Sequence, residues 1–392
     1  MFSRGIRARG GLLSLTILVA MAPVAAVACG DAGTATDPNG AITPSDPSST
    51  STAKPSSPDA GDTSANHDAQ ADAPVSTGPD ANDPATIASA SCKAPLPSNG
   101  GRAAALPVYA GTCPVLAASP AYTTITTKGN QRTFMVYKPT TIAPGEKLPV
   151  VFLWHWLGGD PDGMASKLEV QTAVDLHRFI GVIPASKSDA LFRWPFEATQ
   201  SQGRVDEEVA FFDDMLACVS AALPVNKECV SSLGVSAGAL WTAQLAIARS
   251  EHLSSMVSLS GGVDGVVRGW STTPHRLPAL VLWGGDDDVY PKQLPIMNFK
   301  NASKALIGDL AKDGHYLVEC THNCGHAVPP FDMPAPPGLQ FDTVWRFVLD
   351  HPYWLAASKS PYTGKALPAA YPKWCGQGQG SATPRPAGSV CE

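Results

Sequence analysis

Beyond its first ten residues the chain has no block of basic side chains, and its net charge is −6 with a pI near 5.8. That balance lacks the electrostatic footprint of a nucleic-acid binder. There is no internal repeat, and no second hydrophobic region that would require a second folded domain. The apolar run Leu12 to Ala22 is too short to span a membrane comfortably. Between Gly30 and Ala90 there is no Phe, Trp or Tyr, and a single Lys. Such a segment of Ser, Thr, Pro, Asp, Ala and Gly cannot bury enough apolar surface to offset its ordering entropy. Residues 29–90 are therefore expected to form a disordered tether, with an r.m.s. span of about 45 Å. The remainder, 91–392, is long enough for one large single-core domain.

What precedes the tether reads as an export signal over residues 1–28. Arg4, Arg7 and Arg9 supply a positive start, and the apolar run follows. Ala26-Val27-Ala28 fits a small-x-small cleavage site. With Cys29 it also resembles a bacterial lipobox, although Ala26 stands where Leu is usual. The chain has nine cysteines. If Cys29 carries lipid, the others form an even set suited to disulfides in an oxidising compartment. The expectation is an exported chain, in the cell envelope or extracellular, that touches a membrane only through Cys29.

Gly234-Val235-Ser236-Ala237-Gly238 has the G-x-S-x-G frame of a nucleophile elbow. A strand-like stretch leads into it and a helix-like stretch, Ala239 to Arg249, leaves it. A tight turn there pushes the Ser236 hydroxyl out above a sheet, and the Ala237 N–H falls at a helix N-terminus. Elsewhere the chain alternates. Strands are expected over Tyr122–Tyr137 (a hairpin about Lys128-Gly129-Asn130), Leu148–Leu153, Phe179–Ile183, Val230–Leu233, Met256–Leu259, Leu277–Trp283 and Tyr316–Cys320. Helices are expected over Gln171–His177, Asp206–Leu223 and Phe341–Leu349. This is the pattern of an α/β fold, a mostly parallel sheet covered on both faces.

A serine nucleophile needs an acid and a histidine just past later strand ends, in that order. Asp286, Asp287 and Asp288 follow the strand ending at Trp283. His322 and His326 follow the strand ending at Cys320, and His326 is favoured. Asp264 is a distant rival for the acid. His315 lies at the wrong end of its strand, and His351 reads as a surface residue.

Several short stretches between residues 150 and 330 resemble the secreted polyhydroxybutyrate depolymerase and feruloyl esterase-like group of α/β-hydrolases. His155-x-x-Gly158-Gly159 is similar to that group's H-G-x-G-G turn. Glu208-Val-Ala-Phe211 is similar to a D-V-x-F helix start. Trp283-Gly-Gly-Asp-Asp287-Asp-Val289-Tyr-Pro291 is similar to H-G-x-x-D-x-V-x-P, and Gly325-His326 to a G-H pair. The resemblance implies the α/β-hydrolase fold and a Ser236-Asp287-His326 triad acting on carboxylic esters without a cofactor. The chain departs at Trp283, where His is frequent, and at Trp156, where Gly usually follows the His. The oxyanion donors are then expected to be the N–H groups of Leu157, or alternatively Trp156, and of Ala237. His155, Trp156 and Trp194 are expected to contact an aromatic or hydroxyalkanoate acyl group. A serine peptidase of the same fold and a non-catalytic polymer-binding domain are the competing readings.

The alternation Cys320-x-His322-x-Cys324-x-His326 would put two thiols and two imidazoles on one strand face, a pattern that zinc could use. A Cys320–Cys324 disulfide accounts for the pair more simply, and no metal is expected. Cys218–Cys229, Cys92–Cys113 and Cys375–Cys391 complete the expected set.

Overall fold

The computed structural model describes residues 78–391, except 118–119, 190–191, 333–337 and 387. The export signal, Cys29 and the tether up to residue 77 lie outside the described residues.

Residues 78–90, expected to belong to the tether, are part of the folded unit. Residues Pro84–Ala88 form a short helix, α1, whose N-cap Asp83 accepts from the Thr86 N–H. Ala81 and Ala90 pack with Trp354 and Leu355. The folded unit thus includes about a dozen residues whose composition resembles that of the tether.

Among the described residues nine strands form one sheet, interleaved with helices, two of which, Pro161–Lys167 and Phe299–Lys312, were not expected. In chain order the elements are β1 (Tyr122–Thr127), β2 (Asn130–Tyr137), β3 (Leu148–Trp154), α2 (Pro161–Lys167), α3 (Val170–His177), β4 (Ile180–Pro184), α4 (Gln202–Ala222), β5 (Val225–Val235), α5 (Ala237–Arg249), β6 (Ser255–Leu259) and β7 (Ala279–Trp283). They continue as β8 (Val289–Tyr290), β9 (Met297–Asn298), α6 (Phe299–Lys312), β10 (Leu317–Thr321), α7 (Asp342–Asp350) and β11 (Cys375–Gln377). The sheet order is β1-β2-β4-β3-β5-β6-β7-β10-β11, while β8 and β9 pair separately. From β4 to β10 all neighbours are parallel; β1, β2 and β11 pair antiparallel at the two edges.

Strands β3, β4, β6, β7 and β10 are buried along their whole length, and β5 over Glu228–Gly234, because both faces are covered. Successive residues of β3 alternate between two cores. Val150, Phe152 and Trp154 face the core shared with α4, α5 and α6. Val151 and Leu153 face the core shared with α2, α3 and α7. The chain goes from β3 outward to β4 on one side and returns to β5 on the other. That reversal opens a crevice beyond the carboxyl ends of β3 and β5, the place where open α/β sheets bind ligands.

Candidate active site

The elbow closes only because residues 234 and 238 are glycine. A Cβ on Gly234 would overlap the Gly238 carbonyl, and one on Gly238 would overlap the carbonyl of Trp154 on β3. Between them Ser236 is held at φ 56°, ψ −119°, with its N–H donating to the Leu259 carbonyl at 2.9 Å. A left-handed backbone is uncommon for a residue with a side chain and marks a constrained position. Ser236 Oγ lies 2.8 Å from His326 Nε2.

The histidine reaches it from the turn after β10. Gly325 adopts φ 66°, and its N–H donates to the Gly284 carbonyl at 2.8 Å, joining this turn to the one after β7. Phe299, at the start of α6, stacks on the imidazole with centroids 4.1 Å apart and planes at 13°. The other ring nitrogen, Nδ1, lies 2.7 Å from Asp288 Oδ1.

The carboxylate against His326 is thus that of Asp288, not the expected Asp287. Asp288 is fully buried, whereas Asp287 is exposed. The turn after β7 decides between them. Asp288 is drawn inward because its Oδ2 accepts the Gly284 N–H at 2.7 Å and the Ser260 hydroxyl at 2.9 Å. Asp287 points to solvent, and Asp286 pairs with Lys300 on α6. Asp264 is exposed and accepts from its neighbour Gly265 N–H.

His322 is a buried structural residue. Its Nδ1 accepts the Cys324 N–H at 3.1 Å, and burial pushes its pKa down to about 4. His351, expected at the surface, is wholly buried between the Phe347 carbonyl and the Ser360 hydroxyl.

Two residues expected to contact substrate do not line the pocket. Trp194 is fully buried, edge-on to Trp154, and its Nε1–H donates to the His155 carbonyl at 2.8 Å. His155 is 1% exposed. Its Nδ1 lies 2.9 Å from the Trp156 carbonyl, and its Nε2 lies 3.3 Å from the Ser186 N–H. Those partners require the Nδ1–H tautomer. Burial also lowers the His155 pKa, favouring the neutral ring. The Trp156 carbonyl accepts a second bond from the Gly159 N–H at 3.0 Å, closing a turn in which Gly158 takes φ 74°. Because a trans peptide points its N–H opposite its C=O, these bonds turn the Leu157 N–H away from His155. Leu157 and Trp156 both line the pocket above Ser236.

That pocket has a volume of about 300 Å3. Leu168, Val235, Leu259, Val328 and Phe341 make most of its wall together with Trp156 and Leu157. Ser236, Ser260, Tyr290 and His326 supply its polar atoms, and Lys167 lies at its edge as an exposed cation. Ala237, the first residue of α5, is buried directly beside Ser236. Among the described residues no group of three or more His, Cys, Asp or Glu could hold a metal ion.

The disulfides use the eight expected cysteines but in different pairs: Cys92–Cys229, Cys113–Cys218, Cys320–Cys375 and Cys324–Cys391. Cys320 and Cys375 are partners in the β10–β11 register, so their bridge is part of the sheet. The Cys324–Cys391 bridge ties the histidine turn to the C-terminal tail. Four disulfides mark the chain as an exported or extracellular protein. No helix among the described residues is long and apolar enough to cross a membrane.

No protein-family model matches the chain, and no curated protein matches it. Solved structures do. It superposes on native sOPH with a TM-score of 0.55 at 15% identity, over 70% of this chain and 98% of that one. For native pOPH the TM-score is 0.53 at 15% identity, over 68% and 97%. Sheet order, elbow and these superpositions agree: the chain has the α/β-hydrolase fold.

Proposed function

We propose that the protein is an exported serine hydrolase of carboxylic esters. The observation that carries this reading is the line of contacts from Ser236 Oγ to His326 Nε2, at 2.8 Å, and from His326 Nδ1 to Asp288 Oδ1, at 2.7 Å. In the proposed reaction Ser236 Oγ attacks the ester carbonyl and its proton passes to His326 Nε2. Asp288 holds the ring with Nδ1–H toward itself and stabilises the imidazolium. The Ala237 N–H and the Leu157 N–H, or alternatively that of Trp156, receive the oxyanion, each worth roughly 3 kcal/mol of barrier. His326 returns the proton to the departing alcohol oxygen. Water, deprotonated by the same ring, then cleaves the acyl-enzyme and frees Ser236.

The apolar wall of the pocket supports an aromatic or extended apolar acyl group over acetyl. Trp156 is the tryptophan positioned to contact it, since it lines the cavity while Trp194 is buried behind His155. The lipid reading of Cys29 gains support from the disulfides, which consume every other cysteine. The mass of the mature N-terminus tests it: an unmodified residue there removes the anchor.

The test of the activity is a panel of acetyl, butyryl, hydroxybutyryl and feruloyl esters with matched amides. Wild type is expected to cleave the larger esters best and the amides poorly. Folded Ser236→Ala is expected to lose at least about 1,000-fold in kcat and to escape labelling by a serine-directed phosphonate. Wild-type rates in that variant reject the proposal.

A further inference from the structure

Ser260 is the first residue after β6, and its side chain enters the site from a strand that supplies none of Ser236, Asp288 and His326. Its backbone is left-handed, φ 50°, with the N–H donating to the Leu282 carbonyl at 2.7 Å. The next residue, Gly261, is packed so closely on Ala239 and Ser258 that a Cβ there would overlap both. The turn is therefore fixed by its neighbours, and it aims the Ser260 hydroxyl at Asp288 Oδ2, 2.9 Å away. The residue is 6% exposed and belongs to the wall of the pocket.

Resting on the ester-hydrolase reading, we propose that Ser260 is a positioning residue of this site, a fourth member that acts through Asp288. Four strands adjacent in the sheet, β5, β6, β7 and β10, deliver Ser236, Ser260, Asp288 and His326 in spatial order. The two oxygens of Asp288 have separate duties. Oδ2 takes two donors, the Ser260 hydroxyl and the Gly284 N–H; Oδ1 faces His326. A buried carboxylate with one anchor can rotate about its side-chain bonds, and two donors from different strands remove that freedom. They also draw charge toward Oδ2, which moderates the pull of Oδ1 on the imidazolium proton. Without the hydroxyl, more charge falls on Oδ1 and protonated His326 is favoured. The acidic limb of the activity profile then moves to higher pH.

The other groups around the ring leave that signal readable. Tyr290 and Phe299 contact His326 through their rings. His322 is held neutral across the limb by burial, with a pKa pushed down to about 4. The Asp287 carboxylate is exposed, and Asp286 is paired with Lys300.

The experiment compares Ser260→Ala and Ser260→Gly with wild type. Glycine adopts φ 50° without strain, so it tests whether the residue serves the backbone alone. Phosphonate labelling of Ser236 with loss of activity is established first in wild type, so failure of the ester-hydrolase reading is seen separately. In both variants kcat/KM is then expected to fall roughly 10- to 100-fold, as for loss of a hydrogen bond to a charged group. The loss lies in kcat, with KM on a short ester changed less than about threefold. The acidic limb shifts upward while thermal unfolding stays cooperative. Wild-type kinetics in the glycine variant, or a loss confined to KM with the limb unmoved, would make Ser260 a plain part of the pocket wall and overturn the proposal.

Discussion

At the scale of single residues, the three consecutive aspartates after β7 are chemically equal and structurally unlike. Only Asp288 is buried and bound to His326. Asp288→Asn should lower kcat by roughly 1,000- to 10,000-fold, because an amide in its place favours the wrong imidazole tautomer. Asp287→Asn and Asp286→Asn, both at exposed carboxylates, should stay within about threefold of wild type. A larger loss from Asp287→Asn would return the acid to the position that the sequence suggested. Ser236 was legible because sterics demand glycine on both sides of the elbow, and sterics leave a mark in sequence. His326 was legible from its place after a buried strand. The carboxylate that meets His326 was not, since a run of three aspartates carries no record of which way its turn faces. Ser260 left no signal, being a single serine after one of many strands. Trp194 and His155 misled because loop aromatics suggest a cleft. The bond from the Trp194 indole to the His155 carbonyl, which buries both, joins residues far apart in the chain.

At the scale of elements, continuous apolar runs placed most parallel strands to within two residues, since burial on both faces leaves little room for polar side chains, whereas β5 begins five residues before the expected Val230. Helix α4 begins at Gln202, four residues before the expected start, with Ser201 as its N-cap. Its Glu208, which lent weight to the family resemblance, is buried against Arg132 and Arg204, at 2.7 and 2.6 Å. It therefore joins α4 to β2. The short elements were illegible for a physical reason. A two-residue pair such as β8–β9, or the edge strand β11, has too few residues to show a period. The disulfides failed for a related reason. The expected bridges joined cysteines near in sequence, whereas two of the real ones span separations of 137 and 105 residues. Such pairs meet only once the sheet has assembled.

At the scale of the whole molecule, burial of neutral imidazoles links stability to pH. His275, His322 and His351 are each pushed down to about 4, in every case chiefly by loss of solvent. An unfolded chain protonates its histidines near pH 6.5. Between about pH 6.5 and 4 the unfolded state therefore binds more protons than the folded one, and stability is lost as pH falls through that window. Several acids have raised values through burial, among them Glu197, Asp214 and Asp350, and they act in the opposite sense toward the low end. A single histidine must be isolated to see the effect. His351 suits this, because its ring is enclosed by Phe347, Tyr316 and Tyr362 and lies away from the elbow. The phenols beside it are raised to about 12 or beyond, so neither titrates in the window. His351→Gln removes the titration while keeping a group that can donate and accept. At pH 7 the variant should be the less stable through imperfect packing. Between pH 7 and pH 5 wild type should lose about 2 kcal/mol more than the variant, the linkage expected of one histidine displaced this far. Denaturant unfolding of both proteins at the two pH values measures this directly. An unchanged difference between them would mean that His351 takes up its proton as readily folded as unfolded, and that its burial does not govern the acid limit of the fold.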